Sequence, residues 1–259
     1  MGSRLLLLFL APLTALAAGC TTFAGTSTAT PVYANDASNN MRLGNEALSD
    51  HQYGMAEKYF EYVKTKFPFI DASREAEIRL GDVSYDKELW TEARDRYTVF
   101  TKLHPSYFRV DYCAYRAALT YYREMPSSFF ILPPSAEREQ TQVHGAWDSM
   151  SSFIKTYPSS VYTPEAKKYA EEARQRLAQH EMYVADFYEK RGHLAGAVGR
   201  LETLVTKYPG QDEATILFRL HDLYVRLSDP VHARGALERI VTRLPGTPAA
   251  QRAQAMLGS

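Results

Sequence analysis

The sequence predicts an all-α chain: a superhelix of five stacked helical hairpins with one long connecting helix, preceded by a signal peptide and a flexible tether. Three observations carry this. An alanine stands twelve residues before a proline five times, at Ala56/Pro68, Ala93/Pro105, Ala146/Pro158, Ala197/Pro209 and Ala233/Pro245. Four residues after each alanine comes Phe60, Tyr97, Met150, Leu201 or Leu237, and seven after it Val63, Phe100, Phe153, Leu204 or Ile240. At about 100° per residue these offsets fall within roughly 60° of one another, so each copy is an amphipathic helix with one narrow buried stripe. The proline then ends it. Finally, the prolines recur at intervals of 37, 53, 51 and 36 between Pro68 and Pro245, which is two clean repeats and two that carry insertions.

A self-similar period near 34, built as helix, turn, helix, is the signature of tetratricopeptide (TPR) arrays. The first half of the unit agrees. Leu43-Gly44, Leu80-Gly81 and Val184-Ala185 precede their alanines by thirteen and twelve residues, where the two helices of a hairpin touch and a small residue is needed. Tyr188 and Tyr224 fill the bulky slot nine residues before theirs.

Taken in order, residues 1–19 have one cation, Arg4, then an apolar run from Leu5 to Ala18 and small residues before Cys20. That run is too short to span a bilayer comfortably and fits the core of a secretory signal. Leu16-Ala17-Ala18-Gly19-Cys20 resembles a bacterial lipobox, which implies that Cys20 becomes the acylated N-terminus. The alternative is an ordinary secretory signal whose cleavage leaves a free thiol. Thr21 follows in place of the aspartate of an inner-membrane retention signal, which favours the outer membrane. Residues 20–36 are then the lipidated cysteine and a small, hydroxylated tether without periodicity, with a reach of roughly 20–25 Å. Two or three acyl chains anchor stably where one does not.

From Ala37 to Tyr162 the sequence predicts an N-terminal half of three repeats. Its first helices offer an inner-face series, Met41, Asn45 and Leu48, then Ile78, Asp82 and Tyr85, then Tyr115, Leu119 and Tyr122. Asn45, Asp82, Tyr85, Tyr115 and Tyr122 are the candidate lining of a peptide groove. Equally, the tyrosines pack between repeats. The insertion at 124–140 carries Phe129-Phe130-Ile131-Leu132 between Pro126 and Pro133-Pro134, so it reads as a loop with an apolar tip, folded back or free to make a contact. Ser135-Ala136-Glu137 suits a helix start. Thr163-Pro164-Glu165 reads as a threonine cap with proline in the first turn, opening a helix of about 27 residues and roughly 40 Å. That helix begins a C-terminal half, 163–259, with two further repeats.

Composition sets the limits on function. The 259 residues are 45% hydrophobic with a formal charge of zero, enough to bury a core and without a field to draw in nucleic acid. Two cysteines, Cys20 and Cys113, are too few for a disulfide framework, and Cys113 sits among Tyr112, Ala114 and Tyr115 as a packed thiol. The seven histidines are scattered without a metal-ligand pattern, and no P-loop, dinucleotide or nucleophile-elbow motif occurs. The reading is therefore of a scaffold, not an enzyme, with no cofactor and no metal.

Several stretches resemble a known family. Tyr121-Tyr122 is followed by Met125-Pro126; Glu137-Arg138-Glu139-Gln140 stands where the family has Asp-Arg-Asp-Gln; and 153–162 reads FIKTYPSSVY. Most particular is 177–208, LAQHEMYVADFYEKRGHLAGAVGRLETLVTKY, with the pattern LAxxExxVAxFYxxRGxxxxAVxR. These resemble the BamD (ComL) family of outer-membrane assembly lipoproteins, over nearly the whole chain after the leader. The resemblance implies a lipid-anchored periplasmic subunit of the β-barrel assembly machinery. Its C-terminal half is expected to dock on a POTRA domain of the barrel insertase, beside other subunits, and its N-terminal half to receive unfolded barrel substrates. It also implies that Arg200 sits at the docking surface, where an arginine can grip a carboxylate bidentately; otherwise Arg200 pairs within the chain, with Glu202 or Glu189. A second reading is a periplasmic TPR adaptor of cell-envelope or peptidoglycan machinery, which does not require the 177–208 stretch.

Overall fold

The structure is a computed structural model describing residues 30–126, 135–210 and 212–258, and its helices all fall in the compact unit Tyr33–Ser259. Among these residues ten helices pair into five hairpins: α1 (Ala37–Ser49) with α2 (Tyr53–Lys66), α3 (Asp71–Asp86) with α4 (Trp90–Leu103), α5 (Val110–Glu124) with α6 (Thr141–Thr156), α7 (Thr163–Lys190) with α8 (Leu194–Lys207), and α9 (Glu213–Arg226) with α10 (Pro230–Arg243). An eleventh, α11 (Pro248–Gly258), packs on α10. No strand occurs among the described residues. The leader 1–19, Cys20, most of the tether and the apolar tip 129–132 lie outside them.

The repeat is visible in the backbone as well as the sequence. All fifteen stripe positions, from Ala56, Phe60 and Val63 to Ala233, Leu237 and Ile240, are at most 3% exposed. The five second helices stop two residues before their prolines. Their caps, Phe67, His104, Tyr157, Tyr208 and Leu244, share φ between −127° and −124° and ψ between 49° and 60°. Each cap N–H bonds to the carbonyl of the last stripe residue, for example Phe67 to Val63 and Leu244 to Ile240. Five residues before the repeat alanine, His51, Glu88, Gly192 and Ser228 turn the chain with positive φ of 58°, 58°, 76° and 58°, the left-handed step that closes a helix and starts a tight turn. In two hairpins the small residue is a steric necessity: a Cβ on Gly44 would lie 2.6 Å from the Phe60 ring, and one on Gly81 2.6 Å from Tyr97.

Helix α7 spans 28 residues, close to the helix of about 27 expected from Thr163. Ala166 and Ala170 pack into the cluster of the third repeat, and Ala173, Leu177 and Ala185 into that of the C-terminal half, so one helix serves two cores. Its start differs from expectation. Tyr162 is the cap residue, and Thr163 is buried inside the first turn with its hydroxyl donating to the Tyr157 carbonyl at 2.7 Å. Ser135-Ala136-Glu137 forms only a single 3-10 turn, and α6 begins later, at Thr141.

The packed chain also starts earlier than composition suggests. Tyr33 stacks on Tyr62 with centroids 4.0 Å apart, edge-on to Tyr59 at 5.7 Å. Asn40, fully buried, takes the Ala34 N–H at 3.0 Å and donates to the carbonyls of Ala34 and Asp36 at 2.8 and 2.7 Å. Asp36 then caps α1, accepting from Asn39 N at 2.8 Å. Residues 33–36, counted with the tether on composition, are thus held against the first hairpin by side chains that hydroxyl-rich composition does not betray.

Candidate partner-binding surfaces

In the C-terminal half the buried stripe of α7 runs Ala166, Ala170, Ala173, Leu177, Glu181, Ala185. A carboxylate thus occupies a position where the spacing calls for an apolar residue, and it is only 6% exposed. Burying an ionised carboxylate costs several kcal/mol unless it is paired. Its partner is Arg200 on α8, whose Nη1 stands 3.3 Å from Glu181 Oε2 while 41% of the arginine side chain faces solvent. The guanidinium is held from below and open from outside, the posture of a group that can engage a second carboxylate.

Arg200 does not pair with Glu202 or Glu189, because both are taken. Arg239 reaches the two oxygens of Glu202 at 2.8 Å, and Tyr224 donates to Oε1 at 3.2 Å. Glu189 is shared by Arg219 and Arg226, at 2.7 and 2.8 Å, and those two cations outweigh its desolvation and hold its carboxyl below the usual range. A cleft of about 270 Å³ opens between α7, α8 and α9, lined by Arg174, Ala178, Met182, Leu204, Tyr208 and Ile216. Arg174 is fixed by Glu171 and by the carbonyls of Tyr208 and Pro209.

The N-terminal groove residues are not arranged as a continuous lining. Asp82 is 4% exposed and lies under a lid of partners. Tyr97 and Tyr112 both donate to its Oδ1 at 2.6 Å, and Arg79 donates to Oδ2 at 3.1 Å. Tyr85 is covered by the Arg116 guanidinium 3.6 Å above its ring, accepts from Arg123 Nε at 3.0 Å and meets Trp90 edge-on. Tyr115 stacks on Tyr162 at 4.9 Å. These three therefore belong to the joints between hairpins. For Asp82 and Tyr85 the cover reaches across from α5, through Tyr112, Arg116 and Arg123, while Tyr115 is covered by Tyr162 from the loop before α7. Asn45 is exposed on α1. Tyr122 is half-buried on Tyr169 at 4.1 Å, and burial together with its bond to Glu172 pushes its hydroxyl up to about 12. A cleft of about 430 Å³ lined by Tyr85, Asp86, Glu88, Trp90 and Arg123 is what this face offers instead.

Burial pushes the Cys113 thiol up to about 12, so it stays protonated and inert at neutral pH. Among the described residues no group of three or more His, Cys, Asp or Glu could hold a metal ion, and no helix is long and apolar enough to cross a membrane.

Stacked hairpins in register, joined by one shared helix, define a TPR-type superhelix. The family profile of YfiO, described as outer membrane lipoprotein, matches residues 33–240, and the chain belongs to that family. Its relatives include the outer membrane protein assembly factor BamD of Neisseria meningitidis serogroup A, 23% identical over 208 residues that cover 78% of this chain and 77% of the relative. The protein of the same name from Pasteurella multocida is 25% identical over 174 residues, covering 64% and 65%. Among solved structures, a TPR repeats protein of Bacteroides fragilis aligns at 13% identity over 87% of this chain and 99% of that one, with a TM-score of 0.45.

Proposed function

We propose that this protein is the lipid-anchored, periplasmic TPR subunit of an outer-membrane β-barrel assembly machine. In this reading the mature chain is tethered at the outer membrane through acylated Cys20. Its C-terminal half docks on a POTRA domain of the BamA-like insertase, next to other subunits, and its N-terminal half receives unfolded outer-membrane proteins. The observation that carries it is the family match across 33–240, which takes in the whole solenoid up to α10. The Glu181–Arg200 pair supports the docking step: it presents a fixed cation to an acidic residue on a partner. For substrate, the groove reduces to Asn45, Tyr122 and the cleft at Trp90 and Arg123.

The test is co-purification from detergent-solubilised outer membranes. The wild-type chain is expected to bring down a POTRA-bearing barrel, and Arg200→Gln to lose most of it while circular dichroism shows the helices intact. Arg200→Glu sets two carboxylates face to face and is expected to lose docking and some stability together. Recovery of peptidoglycan-binding proteins without any barrel would point to the envelope-adaptor reading instead.

A further inference from the structure

Because helix direction alternates along the solenoid, the start of α1 and the loops after α2, α4 and α6 fall on one edge, and the hairpin turns fall on the other. The hairpin turns present His51, Glu88, Gly192 and Ser228 at their tips, with Leu89 and Leu227 partly exposed beside them. The opposite edge presents Phe69 at 93% exposure, Phe108 at 77% and Val161 at 81%, one from each of three successive loops. Ile70 and Leu103 flank them, both exposed.

These loops do not project apolar side chains for want of a place inside. Each sends one aromatic inward and a second apolar residue out. Phe67 turns in to Tyr62, Tyr107 to Phe100 at 5.5 Å, and Tyr162 to Tyr115. Phe69 is held outward by a left-handed backbone, φ 75°, which a phenylalanine adopts only against resistance. Single exposed apolar residues are ordinary, but an aligned series in successive layers about 10 Å apart is a surface.

What covers it is indicated by where the chain joins the fold. Tyr33, the first packed residue, stacks on Tyr62, which meets Phe67 at 6.1 Å, two residues from Phe69. The tether therefore leaves from the edge that carries the apolar tips. Between Cys20 and Tyr33 lie only twelve residues, and a linker of that length has a reach of about 20 Å. The C-terminal half does not share the edge: Arg174, eleven residues into α7, bonds the Tyr208 and Pro209 carbonyls, so the loop after α8 is set back by about 16 Å. Lysines close the last turns of the helices that lead into the three loops, Lys64 and Lys66, Lys102, and Lys155.

We infer that Phe69, Phe108 and Val161 form a lipid-contacting edge, which rests on the acylated-anchor reading and adds to it. The acyl chains hold the protein at the bilayer. The three tips dip into its interfacial layer beside lysines that meet the headgroups, and they fix how the solenoid stands on the membrane.

The test uses the full lipoprotein reconstituted in phosphatidylethanolamine/phosphatidylglycerol vesicles. Phe69→Cys, Phe108→Cys and Val161→Cys are each labelled with an environment-sensitive fluorophore. Val231→Cys, on the C-terminal half and 75% exposed in the native chain, is the control. Nitroxide lipids are expected to quench the three edge labels at least threefold more than the Val231 label, with blue-shifted emission. Vesicle flotation is scored on the same samples. A protein that floats while its edge labels report water like the control overturns this inference alone. A protein that fails to float overturns the anchor and this edge together.

Discussion

The pair Glu181 and Arg200 gives the residue scale its clearest test. Removing the arginine leaves a buried carboxylate without a partner, whereas removing both charges leaves neither penalty. Arg200→Leu is expected to destabilise the fold by about 1–2 kcal/mol, a modest figure because the guanidinium is partly solvated. Adding Glu181→Gln should recover most of that loss. Urea denaturation of the two single variants and the double variant checks it, and additive losses would show that the two groups are not coupled. Glu181 was legible in principle as the one charge on an otherwise apolar stripe. Arg200 was singled out by the family resemblance and Glu181 was not, because a helical spacing tells which face a residue occupies and nothing about what lies opposite. Asp82, Tyr85 and Tyr115 show the same limit: their face was readable, and the side chains that cover them, Tyr97 and Tyr112 over Asp82, Arg116 and Arg123 over Tyr85, and Tyr162 over Tyr115, were not.

At the scale of the element, what was legible is what repeats. Five copies of one spacing fix five second helices and their stripes, because burial on a helix depends only on offset. Local singular events escaped. The docking of Tyr33 depends on a ring stack with Tyr62, and Thr163 is not the cap because its hydroxyl bonds the Tyr157 carbonyl at the end of α6. The hairpin contact makes a sharp prediction. Gly81→Ala drives a methyl into the buried Tyr97 ring, itself held by Asp82, and should cost about 1–3 kcal/mol. Gly235→Ala, on α10 with open space around the new methyl, should gain about 0.5–1 kcal/mol by lowering the entropy of the unfolded chain. Thermal unfolding of the two variants checks the signs, and a stable Gly81→Ala would mean that the helices of the second hairpin can part without loss.

For the molecule as a whole, stability is carried by contacts between neighbours in sequence: each helix packs on the one before and the one after, with few longer links. Such an array behaves as a one-dimensional chain of coupled units whose ends need capping. On its C-terminal side α10 is covered by α11. Ala250 and Ala253 bury against α10, Val241, Leu244, Met256 and Leu257 pack at the same core, and Arg252 lies 4.6 Å over the Phe218 ring of α9. Deleting residues 246–259 therefore bares the apolar side of α10 and removes a brace on α9, while no contact of the first two hairpins changes. Amide hydrogen exchange should show protection falling steeply in α9 and α10, less in α8, and not at all in α1 to α4, with the long helix α7 as the boundary because it is built into both cores. An equal loss of protection from α1 to α10 would show instead that the solenoid unfolds as one cooperative block, and α7 would then transmit the loss where the neighbour-by-neighbour packing says it should stop it.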